Sequence, residues 1–197
     1  MQPRRRLDTE VRRQAILDAA KRAYAQDTYA DVPIGRIAEA AGSSPALVFH
    51  YFGSKAGLYC AVVEDAVAAL QDAQADALAR LPPGTSARDQ VQTSLLVYLN
   101  HIATHPNSWA TPLAGGEEPR AAVELRRRAR QDAVTWLRQL LQVGSWRRHS
   151  YAIWGYLGFL DQACLAWVNS GCPPEDRPAL IEAALGALEG ALGDWGH

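Results

Sequence analysis

The sequence is poor in sulfur: its 197 residues include three cysteines and one methionine. Cys60, Cys164 and Cys172 are scattered and form no C-x-x-C pair. That argues against a disulfide scaffold, and it fits thiols acting as small buried apolar groups in a reducing cytoplasm. No run of eighteen apolar residues exists, and the most apolar stretch, 151–168, is interrupted by Asp161 and Gln162. A membrane span is therefore not expected. The first six residues, Met1-Gln2-Pro3-Arg4-Arg5-Arg6, end in three arginines, but no apolar core follows them, so they do not read as a signal peptide. G-x-S-x-G, H-E-x-x-H, G-x-x-x-x-G-K-[ST] and G-x-G-x-x-G are all missing. Asp161 and His101 stand alone as acid-base candidates, so neither catalysis nor a cofactor is expected. His101 and His105 are four apart, but no third ligand lies near them in sequence, so no metal site is expected.

A net charge of −1 conceals an asymmetry. Through residue 60, nine bases against six acids leave about +3, and the remainder carries about −4. A basic first third on an acidic remainder suits a nucleic-acid-binding head on a body with another task. Ala and Leu are abundant, and the apolar residues recur at helical spacing. The expected fold is all-α, with a three-helix head joined to a larger helical body.

The organising stretch is Pro33 to Leu58. Ile34, Ile37, Ala38 and Ala41 fall on one helical face, and Gly42 follows as a stop. Ser44 suits an N-cap, and Pro45 suits the first helical position, where its missing N–H costs nothing. Val48 and Phe52 sit four apart and face inward, leaving His50 and Tyr51 outward and Ala46 and Leu47 near the leading end. Ser54 caps again, with Lys55 at the mouth of the next helix. Helix, short glycine turn, helix is a helix-turn-helix, whose second helix is small enough for the major groove.

These residues resemble the DNA-binding signature of the TetR family of bacterial transcriptional regulators. The resemblance is carried by Ile37-Ala38, Ala41-Gly42, Ser44, Phe49-His50-Tyr51-Phe52, Ser54-Lys55 and Leu58, and it covers about the first third of the chain. The common pattern is broken at Leu47 and Phe49, where hydroxyl residues often touch phosphate, and at Val48, which replaces Leu. The resemblance implies an N-terminal DNA-binding domain, 1–57, and a ligand-binding and dimerisation domain, 58–197. The expected DNA-facing residues are Arg36, Ser44, Pro45, Ala46, Leu47, Phe49, His50, Tyr51 and Lys55. Arg4, Arg5 and Arg6 are expected to form either a basic arm reaching the duplex or a solvated tail before a first helix capped at Asp8 or Thr9. That helix is expected to turn Val11, Ala15, Ile16, Ala19, Ala20 and Ala23 inward. Asp31 is a candidate cap for the second.

A long helix from Ser54 to about Leu81 ends at Pro82-Pro83-Gly84, and another spans Thr85 to Thr104. Residues 106–119 read as a broken region. The arginine run from Arg126 to Arg130 reads as a solvated face balanced by Glu124 and Asp132, with Val123 turned inward. The aromatic-rich middle suggests a pocket for a small, largely apolar effector, bounded by Tyr98, His101, Trp109, Trp136, Trp154 and Phe159. The last two long helices are apolar nearly all round and need a cover on a second face. A homodimer supplies it, with Leu157, Asp161, Cys164, Ile181, Leu185, Leu188 and Leu192 as the expected interface. In the TetR family the last two helices dimerise. The expected function is a ligand-released repressor on a double-stranded inverted-repeat operator. A helical interaction module, or an activator with the same head, is the alternative.

Overall fold

The computed structural model describes residues 3–113, 115 and 117–193, and among them helix is the one regular element. The side chains of residues 3–8 lie outside that description. Among the described residues nine α-helices run α1 Pro3–Tyr24, α2 Ile34–Ala40, α3 Pro45–Phe52, α4 Lys55–Ala79, α5 Ala87–Thr104, α6 Pro106–Leu113, α7 Arg120–Leu140, α8 Arg147–Asn169 and α9 Arg177–Leu192. A 3-10 turn, Pro174–Asp176, precedes α9. The all-α expectation holds. No single helix among the described residues is long and apolar enough to cross a membrane.

The head is built as its sequence dictates, with corrections at the helix ends. α1 starts at Pro3, not at Asp8 or Thr9. Pro suits a first position, and Arg and Leu then propagate a helix without a cap. Arg4, Arg5 and Arg6 thus continue the helix backbone, while their side chains, and any arm contact, lie outside the described residues. The buried stripe of α1 is Ile16, Leu17, Ala19, Ala20 and Tyr24, whereas Val11 is 66% exposed and Ala15 is exposed as well. One helix face spans about 100°, so a helix with apolar residues on several sides must leave some of them out.

Pro33 occupies the N-cap of α2 with extended backbone and no side-chain cap. Asp31 does not cap it; its carboxylate accepts from the Thr28 hydroxyl at 2.6 Å. Gly42 takes φ +58° in the turn. Ser44 then caps α3, its Oγ accepting from the Leu47 N–H at 3.3 Å, and Pro45 opens the helix. Ser54 repeats the device for α4, accepting from the Gly57 N–H at 3.0 Å. Each such cap is worth about 1 kcal/mol.

Two compact units emerge. The first contains 1–68 and 107–127, the second 69–106 and 128–197. The core of the first is Ile16, Ala20, Val32, Ile37, Val48 and Leu58, each without exposure, with Tyr24, Tyr59 and Ala122 around them. The second is centred on α5, α8 and α9, and buries Leu99, Ile102, Ile153, Cys164, Trp167, Ile181, Leu185 and Leu188. Residues 106–113, expected as broken chain, are the helix α6. Pro106 stands at its start, where proline is tolerated, and Pro112 falls only in its last turn. Val123, expected inside, is 52% exposed, and Ala122 takes the buried place.

The turn between α3 and α4 has no room to spare. A Cβ placed on Gly57 would overlap the backbone carbonyl of Phe52, an atom that cannot swing aside. Gly35, by contrast, has nothing within 4 Å of such a Cβ. Gly57→Ala should lower stability by about 1–3 kcal/mol, the usual cost of overpacking. Gly35→Ala should be neutral or gain up to about 1 kcal/mol. Urea denaturation reads both; equal midpoints for Gly57→Ala and wild type would contradict the clash.

Candidate nucleic-acid interface

α3 presents one face inward and one outward. Val48 has no exposure, Tyr51 and Phe52 are half-buried against the head core, and Leu47 is half-buried. Ser44, Pro45, Ala46, Phe49 and His50 are exposed, Phe49 at 45%. His50 and Tyr51 meet edge to face at 5.3 Å between ring centroids. Helical periodicity placed Val48 and His50 correctly; Tyr51, expected outward, lies partly in the head core.

The cations beside this face have internal partners. The Arg36 guanidinium donates to the Asp27 carboxylate at 2.6 Å. Lys55 Nζ donates to the Ala30 carbonyl at 3.1 Å and sits 4.7 Å from the centroid of the Tyr29 ring. Arg13 lies over Phe52 at 5.0 Å, and Lys21 pairs with Asp65. None of these pairings changes the head's net charge, so its long-range field persists. Lysine has three donors, so Lys55 can brace the head and still offer an N–H outward.

A second constellation escaped sequence reasoning. Tyr59 meets Tyr24 edge-on at 4.9 Å and Tyr29 at 5.0 Å. Its hydroxyl donates to Glu118 at 2.6 Å, and Arg126 donates to the same carboxylate oxygen at 3.1 Å. The Glu118 side chain is only 5% exposed. Burial first, then the Glu118 carboxylate, pushes the Tyr59 phenol above its ordinary pKa. Together with the Ser108 hydroxyl donating to the Tyr24 carbonyl at 3.1 Å, this ties residues 107–127 into the head unit. The partners lie 59 positions apart in the chain, so no local pattern announces them.

In the second unit, an open cleft of about 320 Å³ is lined by Leu70, Ala73, Val97, Asn100, His101, Thr104 and His105. Of the six expected pocket residues, only His101 lines it. Trp154 and Phe159 are 41% and 40% exposed, Tyr98 and Trp136 are half-buried, and Trp109 belongs to the first unit. Aromatic content alone could not separate cleft from surface. The His101 and His105 rings stand 5.6 Å apart. Burial first, then His105, lowers the His101 pKa. Among the described residues no three of His, Cys, Asp and Glu gather as a metal would need.

Of the arginine run, Arg126 pairs with Glu118, Arg127 with Glu124 and Arg130 with Asp161. The expected interface residues also need correction. Cys164, Ile181, Leu185 and Leu188 lie in the chain's own core, Asp161 is paired with Arg130, and Leu157 and Leu192 are half-buried. Burial holds the Cys164 thiol up at about 12. The exposed strips of these helices carry small residues instead: Gly155 and Gly158 beside Phe159 on α8, and Ala183, Gly186 and Gly190 on α9. A helix apolar on two faces does not declare which face its own core takes; on α8 it takes Ile153, Tyr156, Leu160 and Trp167 and leaves Trp154 and Phe159 outside.

A family model described as "Bacterial regulatory proteins, tetR family" matches residues 16–62. The HTH-type transcriptional regulator BetI of Rhizobium meliloti is 29% identical over 180 residues, which cover 91% of this chain and 75% of that protein. BetI of Agrobacterium fabrum is 29% identical over 91% of this chain and 74% of its own. Among solved structures, a tetR-family transcriptional regulator from Streptomyces coelicolor matches with a TM-score of 0.76 at 22% identity, over 92% of this chain and 79% of that one. The regulator FadR from Bacillus subtilis, solved with stearoyl-CoA, gives 0.71 at 16% identity, over 91% and 99%. At these identities the structural likenesses speak for the fold.

His101 sets a pH response. Its folded pKa lies below the ordinary value, so the unfolded chain takes up a proton first as pH falls. Its contribution is complete above about pH 6.5 and declines as pH drops from there toward the folded value. Thermal melts from about pH 8 to about pH 5 should show an acid-side fall in Tm that His101→Asn reduces. The same fall in both proteins would clear His101 as its source.

Proposed function

The chain belongs to the tetR family of bacterial regulatory proteins, and from that premise we propose a ligand-released repressor that binds an inverted-repeat operator as a homodimer. The observation that carries this reading is α3: capped by Ser44, started by Pro45, anchored by buried Val48 and open along Pro45, Ala46, Phe49 and His50. A helix of eight residues mounted this way fits the major groove. Ser44 and Tyr51 contact the backbone, Lys55 a phosphate, and Ala46, Leu47, Phe49 and His50 face the base edges. Arg36 and the Arg4-Arg5-Arg6 segment add positive field. The DNA-binding part is 1–57 and the effector-binding and dimerising part 58–197, a functional division that differs from the two compact units.

The effector enters the cleft beside His101. Leu70, Ala73 and Val97 give it an apolar wall, and Asn100, His101 and Thr104 provide polar handles. A small, largely apolar molecule with one polar group suits that lining. It releases DNA only if it binds the two conformations unequally. α4 and α7 each have residues in both units, and Tyr59 on α4 shares Glu118 with Arg126 on α7. Of the three places where the chain passes between the units, at 68/69, 106/107 and 127/128, those two long helices are the routes through which a change in the body is felt.

The dimer forms on the small-residue strips of α8 and α9, where helices can approach closely. Two recognition helices then sit about one turn of DNA apart, roughly 34–36 Å. Gly158 is exposed and nothing lies within 4 Å of a Cβ built on it, so the side chain of Gly158→Trp starts into open space and is expected to obstruct a partner rather than the chain's own fold. Sedimentation equilibrium should give a dimer for wild type and a monomer of unchanged helicity for the variant. Operator affinity should fall at least about tenfold, as each half-site alone loses its linked neighbour. A variant that stays dimeric would move the interface elsewhere.

The primary test is selection of duplexes from a random-sequence pool by the full-length protein, followed by gel shifts at several salt concentrations. Enrichment of an inverted repeat supports the proposal, and a pool without enrichment removes it. Lys55→Ala should weaken binding to every duplex and reduce the slope of log K against log salt by about one unit. An unchanged slope would confine Lys55 to its bond with the Ala30 carbonyl.

A further inference from the structure

The outward face of α3 has no side chain that reads a base with paired hydrogen bonds. Pro45 to Phe52 contains no Arg, Lys, Asn, Gln, Asp or Glu. The bidentate contacts that single out guanine or adenine in the major groove cannot come from such a helix. The neighbouring cations lie outside α3: Arg36 is on α2 and paired with Asp27, and Lys55 opens α4 and is assigned to a phosphate. His50 is exposed and can supply one bond.

The rest of the face is apolar. Pro45 and Ala46 are exposed in the first turn, and Phe49 is 45% exposed. Ala46 and Phe49 are three apart, so they lie one above the other on the same side of the helix. Val48 beside them is fully buried, which fixes the rotation of α3 and keeps the Phe49 ring out of the head. On the major-groove edges of the four bases, the apolar group is the C5-methyl of thymine. A phenyl ring next to a small alanine makes a shallow seat for a methyl. The same ring has no hydrogen bond to offer a phosphate.

We infer that α3 recognises its operator through thymine 5-methyl groups seated against Ala46 and Phe49. The inference rests on the DNA-binding reading proposed above and adds what that surface selects. Each half-site must then carry a thymine at a fixed position, and its partner half-site the symmetric one. Beyond the single hydrogen bond that His50 can supply, the thymine methyl is what α3 reads.

Replacing thymine by uracil tests this on the wild-type protein. A U·A pair keeps every hydrogen-bonding group of T·A and removes only the methyl. An enriched duplex from the random pool is remade with uracil at one thymine at a time, and its affinity is measured with full-length protein. One symmetric pair of positions should lose about fourfold each, the value of one buried methyl-sized group. Phe49→Ala, at an exposed site, should bind the thymine duplex more weakly and be indifferent to uracil at those positions. Equal binding with uracil everywhere would overturn the inference while leaving sequence-specific DNA binding intact. A uracil loss that persists in Phe49→Ala would also overturn it, because the methyl would then act on duplex shape. A pool in which no sequence is enriched would remove the DNA-binding reading itself and this inference with it.

Discussion

Val48 is the pin of the structure. It is the one fully buried residue of α3, and it meets a head core of Ile16, Ala20, Ile37 and Leu58, all without exposure. Burying a valine of this kind contributes about 1.5–3 kcal/mol. Its larger effect is geometric. A helix two turns long has no rotation of its own to defend; one side chain locked in the core decides which residues look outward. The turns around it need glycine, with Gly42 at φ +58° and Gly53 at φ +73°, conformations that side-chain-bearing residues resist. The outward set of Pro45, Ala46, Phe49 and His50 follows from that pin and those turns.

The electrostatics of the head complement this. Its cations are tied down by carboxylates, carbonyls and aromatic faces, at Arg36, Lys21, Lys55 and Arg13. Such pairs are worth little to stability near the surface, but they order the side chains and leave the positive excess in place. The Tyr59–Glu118–Arg126 group is different in kind, because its carboxylate is nearly excluded from water. Removing either partner would leave a buried charge short of donors, which costs far more than a surface pair. It therefore fixes residues 107–127 to the head firmly, while the charge-poor face of α3 remains available for apolar contact.

The head was legible from its sequence, and the reason is local physics. Serine caps, a first-turn proline, a stop glycine and three-to-four-residue spacing each act within one or two turns, so Ser44, Pro45, Val48 and Ser54 were placed from composition and order. Three features were not. The start of α1 depends on the lack of any breaker before Thr9, not on a cap. α6 lies in a segment where Pro106, Pro112 and two adjacent glycines suggest interruption, although proline in the first turn does not forbid a helix. The inner faces of α8 and α9 were assigned the wrong way round, because Cys164, Ile181, Leu185 and Leu188 serve the chain's own core and Gly155, Gly158 and Gly186 are outside. The cleft shared the same difficulty: of the six residues chosen for aromaticity or polarity only His101 reached it, since its wall is made of small aliphatic side chains that no motif marks. The TetR resemblance covered the head and matched the family model over residues 16–62, which is where the local rules also succeeded.

Hydrogen exchange of the full chain, with and without a duplex recovered by selection, tests the central claim most directly. Amides across α3 and its flanking turns, 44–55, should exchange more slowly on the duplex, because the groove covers that helix and steadies its core. Unchanged exchange there, with protection appearing instead along α7 or nowhere in the first 60 residues, would contradict it.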